Sequence, residues 1–231
     1  MSTKTCWVTY LGTVPYELAL GLQERLRQAR AEGEVPDIFL LLQHPPIFTR
    51  GRFRGQDDLL VPPEVLAREG LAVFQTDRGG GITYHGPGQL VGYPILDLRE
   101  SGLGVRGYIQ RLETVIIELL LSRGVVGYRV PQHPGVWTAG KKICSMGIHV
   151  SHHITTHGFA LNVSNDLRYF SYIRPCGLEG ELITSLSEVL GHPVEVESLI
   201  GDLLHSFSRN FRLNCRLRDD QWLAVSGARS G

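Results

Sequence analysis

Apolar and polar residues follow two rhythms along this chain, and the changes from one to the other predict its elements. Residues 5–11 have the texture of a strand. Pro15 then opens a helix in which Leu18, Leu22, Leu26 and Ala29 recur at helical spacing until Gly33 ends it. Residues 38–43 are a continuous apolar run between Pro36 and Pro45-Pro46, short enough to be a buried strand, so the chain opens β-α-β. A loop rich in arginine and glycine (residues 50–55) leads to a short helix after Pro62-Pro63, and residues 71–76 read as a further strand. The glycine run that starts at Arg78 breaks the pattern, and residues 89–96 resume it as a strand.

Residues 105–123 form the clearest helix, with Ile109, Leu112, Ile116, Leu119 and Leu120 on one stripe and Gly124 beyond the end. Then the texture becomes a meander. Short β-rich runs cover residues 125–130, 136–138, 142–150 and 155–163, separated by Pro131, Ala139-Gly140 and residues 151–153. Residues 180–190 and 196–211 read as helical, and the tail from about residue 224 reads as frayed. No repeat, linker or shift of composition marks a second domain, so the expectation is one domain over residues 1–231. Its class is α/β (or α+β), a mixed sheet flanked by helices.

Composition narrows the function classes. Lysine and arginine (23) balance aspartate and glutamate (23), so no global field favours DNA, RNA or an anionic membrane. No apolar stretch approaches the ~18–20 residues a bilayer requires. Residues 1–10 offer one lysine and no apolar segment before a small-residue cleavage site, so a cytoplasmic location is expected. Cys6, Cys144, Cys176 and Cys215 are widely scattered with no C-x-x-C, and read as reduced thiols.

Several motifs carry candidate chemistry. Gly102-x-Gly104-x-x-Gly107 has dinucleotide-turn spacing, but it does not come directly off a strand and no acid ends the next one, so a plain loop is expected. The segment from Arg78 to Gln89 puts five glycines among Arg, Tyr, His and Gln. Such a loop brings bare backbone N–H groups against a ligand, or is simply a structural bend. Cys176 stands between Pro175 and Gly177 just before a predicted helix, whose N-terminus would favour a thiolate; the alternative is a small buried hydrophobe. Strand alternation puts Lys142 on one face with Cys144 and Met146, where a lysine is costly unless paired or snorkelling to water; Lys141 points the other way. His149, His152, His153 and His157 crowd together, yet lack metal-ligand spacing, so exposed turn histidines and no metal are expected. His157 differs by lying inside a β run.

Taken in order, Arg78–Gln89 (RGGGITYHGPGQ), Lys142-Ile143-Cys144-Ser145-Met146-Gly147, His157–Val163 (HGFALNV) and Pro175-Cys176-Gly177 resemble the octanoyl-[acyl carrier protein]:protein octanoyltransferases, the lipoyl/octanoyl transferases of lipoic acid biosynthesis. The resemblance spans about residues 14–213. It implies the fold of biotin and lipoate ligase catalytic domains, and a cytoplasmic, ATP-independent acyltransferase without a cofactor. The donor it implies is octanoyl-acyl carrier protein; the acceptors are lysines on lipoyl domains of 2-oxoacid dehydrogenase complexes or on the glycine cleavage H protein. By the same resemblance Cys176 is the acyl-thioester nucleophile and Lys142 lowers its pKa and shuttles protons. The acyl chain would be held by Arg78, Gly79, Gly80, Gly81, Ile82, Thr83, Tyr84 and His85, by Ser145, Met146 and Gly147, and by Gly158, Phe159 and Ala160. Carrier proteins of such pathways are acidic, and Arg50, Arg52 and Arg54 are the candidates for a local basic patch that recruits one. An ATP-dependent ligase of the same fold, a carrier-binding module and a thiol hydrolase are the competing readings.

Overall fold

A computed structural model describes residues 4–52, 58–174 and 182–225. In chain order the elements are β1 (Lys4–Thr13), α1 (Tyr16–Glu32), β2 (Asp37–Gln43), β3 (Ile47–Arg50), α2 (Pro63–Arg68), β4 (Val73–Gln75), β5 (Ile82–His85) and β6 (Gln89–Ile95). There follow α3 (Leu98–Ser101), α4 (Val105–Ser122), β7 (Tyr128–Val130), β8 (His133–Thr138), β9 (Lys141–Ser151) and β10 (Ile154–Asn162). The described chain ends with α5 (Leu186–Leu190), α6 (Ile200–Phe211), β11 (Leu213–Leu217) and α7 (Trp222–Val225), and Leu167–Tyr172 and Val196–Leu199 are 3₁₀ turns.

Among the described residues, eight strands form one sheet in the order β11-β1-β2-β6-β10-β9-β8-β7. β1 runs parallel to both β11 and β2, and the other pairs are antiparallel, so the sheet is mixed. β2 is apolar from Ile38 to Leu42 because it is covered on both faces. Ile38, Leu40 and Leu42 join Ala19, Leu22 and Leu26 of α1 on one side. Phe39 and Leu41 join Leu112, Val115, Ile116 and Leu119 of α4 and Phe207 of α6 on the other. Period-two alternation thus distributes one strand between two cores. At roughly 1.5–3 kcal/mol for each fully buried large aliphatic side chain, these two layers are the main source of stability.

A smaller sheet, β4-β3-β5, packs beside the large one around Phe48, Tyr84, Phe170 and Ile173. Its two short outer members replace what the sequence presents as glycine-rich loop and as a longer strand. Other expectations shift for local reasons. The buried side of α1 is Tyr16, Ala19, Leu22, Gln23, Leu26 and Ala29, and Leu18 is exposed. The helix expected over residues 180–190 starts only at Leu186, because Ser185 caps it by accepting from the Glu188 amide. Gly102 ends α3 in the left-handed conformation and Gly104 caps α4, so these two glycines of the motif serve helix ends, while Gly107 lies within α4. His152 and His153 make the tight β9–β10 turn, both at positive φ. Trp222 is buried, with its indole N–H on Thr9 Oγ1, so order persists close to the predicted frayed tail. No helix among the described residues is long and apolar enough to cross a membrane.

Candidate active site

The two sheets and α4 enclose a cavity of about 550 Å³. β9 and β10 form its floor, with Gly147 opposite Gly158, Met146 opposite Phe159 and Ser145 opposite Ala160. All six residues line the cavity, as do Arg78, Gly79, Gly80, Ile82, Thr83 and His85 from the glycine-rich segment. Three separated stretches of sequence therefore meet around one space. Lys142 lines it too. The wall along β9 extends from Lys142 to Ile148, seven residues spanning about 20 Å at strand rise, more than the length of an extended eight-carbon chain.

The glycine-rich segment is fixed from beneath. Arg78 is buried and donates from one terminal nitrogen to Thr49 O (2.6 Å) and Thr49 Oγ1 (2.9 Å). The Gly79 amide donates to Ile148 O at 2.9 Å, so this N–H is already committed to the loop's own anchoring. That approach is why β9 carries glycine at 147: a Cβ there would stand 3.1 Å from both Arg78 Cδ and Gly79 O. Gly81 and Tyr84 do not line the cavity. Gly81 O accepts from the Gly51 amide, and Tyr84 packs with Phe48 and Phe170 while Ile82, Thr83 and His85 line the cavity.

Lys142 is 6% exposed, in contrast to the solvated Lys141. Its backbone is clamped on two sides. Trp137 of β8 is its register partner, and Ile183 bridges it in parallel while the Thr184 amide donates to Lys142 O at 3.0 Å. Cys176 lies outside the described residues; the chain flanking that segment is tied at Arg174, whose amide donates to Asp58 O, and at Ile183 beside Lys142. Cys144 does not share the lysine's face. An irregularity in the β8–β9 pairing between Val136 and Trp137 breaks the alternation, and Cys144 joins the core beneath α4. Burial pushes its thiol far above the ordinary range despite the neighbouring Lys142, which makes it a poor nucleophile.

At the other end of the floor stand His157, which the sequence singles out by its place inside a β run, and two tyrosines with no signal in sequence pattern. Tyr16, Tyr93 and His157 line the cavity there. His157 Nε2 lies 2.8 Å from Asp77 Oδ1, and this contact holds the Asp77 carboxyl at about 2. His85, which also lines the cavity, faces His44 behind it, their ring centroids 5.5 Å apart. His44 Nδ1 meets the Val14 carbonyl oxygen and must donate, so its Nε2 accepts from the Tyr93 hydroxyl. On the rim are Val105 and Ile109 of α4, with Gln132, His133 and Pro134 from the start of β8. Of the arginine loop, Arg50 is bound to Asp58 (2.7 Å) and Arg52 to His149 (2.9 Å), which weakens the case for a free basic patch; Arg54 lies outside the described residues. Among the described residues no group of three or more His, Cys, Asp or Glu is placed to hold a metal ion.

The fold and this cavity have known counterparts. The family model of the lipoyl protein ligase A/B catalytic domain matches residues 15–208. A lipoate-protein ligase A solved with bound ATP superposes with a TM-score of 0.81 at 15% identity, covering 97% of this chain and 93% of that one. The biotin protein ligase of Aquifex aeolicus is a more distant likeness of fold, at a TM-score of 0.50 and 14% identity over 90% of this chain and 69% of that one. The protein is thus a member of the lipoyl ligase and transferase class. Within it, the chain belongs to the octanoyltransferase family and is an acyltransferase. It is 46% identical over 206 residues to the octanoyltransferase of Caldicellulosiruptor saccharolyticus, covering 88% of each chain. To that of Solibacter usitatus it is 45% identical over 208 residues, 90% of this chain and 92% of that one.

Proposed function

We propose that the protein moves an octanoyl group from an acyl carrier protein thioester to a lysine of a lipoyl domain, through a thioester on Cys176 with Lys142 as proton carrier. The observation that carries this reading is a buried lysine in a chain-length cavity that the three predicted segments enclose. Energetically the donor thioester supplies the activation, so no nucleotide is required. The Cys176 thiolate attacks the thioester carbonyl, the carrier thiolate leaves and takes a proton from the Lys142 ammonium, and a second thioester of similar energy remains. The acceptor amine then attacks that thioester and gives a proton to the neutral Lys142. Amide formation and return of the Cys176 thiolate close the cycle. Ile82, Met146 and Phe159 supply apolar wall for the chain, at about 0.8 kcal/mol per buried methylene.

The test is reconstitution with octanoyl-carrier protein and an apo lipoyl domain, with and without ATP and magnesium. Transfer at the same rate in both mixtures is expected. A strict ATP requirement with free octanoate as the accepted donor would move the protein to the ligases, and release of free octanoate without domain modification would make it a hydrolase.

A further inference from the structure

The apolar stripe of α4 that packs against the sheet contains one carboxylate. Glu113 is buried among Leu112, Val115, Ile116 and Leu119, where an unpaired charge would be costly. Its two oxygens have separate partners. The Gly135 amide donates to Oε1 and the Arg129 Nε–H to Oε2, both at 2.9 Å. Gly135 lies on β8 between His133 and Trp137, where the register with β7 slips, and its N–H goes to the helix carboxylate. Its φ is +130°, and a Cβ there would stand 2.7 Å from Lys142 Cε and 2.3 Å from Cys144 O. The stem of Lys142 thus lies directly on the bare Cα of the residue that Glu113 holds.

We propose that Glu113 is a positioning residue for Lys142: through the Gly135 amide it fixes the surface on which the lysine stem lies, and so the place of the ammonium in the cavity. The consequence for transfer rests on the reading of Lys142 as proton carrier; the mechanical coupling does not. Reach and charge separate cleanly at this position. Glu113→Gln keeps an acceptor oxygen at the Gly135 amide and removes the charge, whereas Glu113→Asp keeps the charge and withdraws the oxygen by one methylene.

The experiment measures single-turnover transfer and the apparent KM for octanoyl-carrier protein in both variants, beside Lys142→Ala. In parallel, ¹³C-lysine spectra are recorded, which the chain's three lysines make simple to assign. Glu113→Asp is expected to slow transfer by about 10–100-fold, the range for a misplaced catalytic group, with KM unchanged and the Lys142 signal shifted. Glu113→Gln is expected to keep the wild-type signal and most of the rate. The reverse order, Gln slow and Asp fast, would overturn the proposal in favour of a charge effect. Equal losses with a raised KM would reduce Glu113 to a packing role. If Glu113→Asp fails to fold, Arg129→Leu frees the other carboxylate oxygen instead; an unmoved Lys142 signal with a wild-type rate there contradicts the coupling. A Lys142→Ala enzyme as fast as wild type would defeat the functional reading, and the lysine spectra would still decide whether Glu113 positions that side chain.

Discussion

Replacing Lys142 by alanine is expected to raise the pKa for Cys176 alkylation and to slow octanoyl transfer by roughly 10²-fold or more, the usual size of a general acid–base contribution. A free thiol titrates near 8.5, so only a few per cent of it is thiolate at neutral pH, and an ammonium within about 4–6 Å favours the charged form. Lys142→Arg separates the two duties of the residue. It keeps a positive charge that cannot exchange protons in this range, so it should preserve part of the thiol's acidity while transfer still falls. Burial of Lys142 on a clamped backbone makes the effect local, because neither Lys141, which is solvated, nor Lys4 on the opposite side of the sheet can take its place. The measurement is the pH dependence of alkylation beside single-turnover transfer. If Lys142→Ala leaves both untouched, the lysine has no part in the chemistry.

The second large effect is on stability in acid. Burial holds the His44 imidazole at about 4 and pushes that of His85 well below the ordinary 6.5. Both are therefore neutral in the folded protein at pH 7. As pH falls below about 6.5 the unfolded chain takes up protons that the folded chain refuses, so stability that is complete above 6.5 is lost progressively and levels off for His44 below about 4. His44 alone accounts for a loss on the order of 3 kcal/mol, large against the ~5–15 kcal/mol of a typical domain. Asp77, held at about 2 by His157, adds a further loss as pH drops from the ordinary carboxylate range towards that value. Urea unfolding at pH 7.5, 5.5 and 4.2 should show this decline, and His44→Gln should flatten it. A stability that is constant from pH 7 to 4.5 would contradict a neutral His44–His85 pair.

Much of the cavity lining is legible in the sequence, because local pattern exposes the residues that form it. Glycines that must let a loop lie on a strand, as at 79 and 147, leave a visible mark, and so does a lysine leading into an apolar strand. The two-faced core of β2 shows in its uninterrupted apolar run. What is hidden depends on tertiary contacts. β5 has only four residues inside a glycine-rich stretch, too few for a pattern to announce that Tyr84 packs away from the cavity that Ile82, Thr83 and His85 line. The irregular β8–β9 pairing spoils the parity that would place Cys144 beside Lys142, and no spacing rule predicts such an irregularity. Leu18 fits a helical stripe by interval, yet the face of α1 that meets the sheet is set by Tyr16, Leu22 and Leu26. Tyr93 and His157 reach the far end of the cavity only because β6 and β10 are neighbours, and Glu113 is interpretable only once Gly135 lies beneath Lys142.

Intact-mass spectrometry tests the covalent acyl-enzyme most directly. Incubation with octanoyl-carrier protein in the absence of an acceptor should add one octanoyl group, about 126 Da for replacing S–H by a thioester. The adduct should be removed by hydroxylamine, map to Cys176 and be missing in Cys176→Ser. Addition at Cys144, or an unmodified enzyme that still acylates lipoyl domains, would contradict the thioester mechanism.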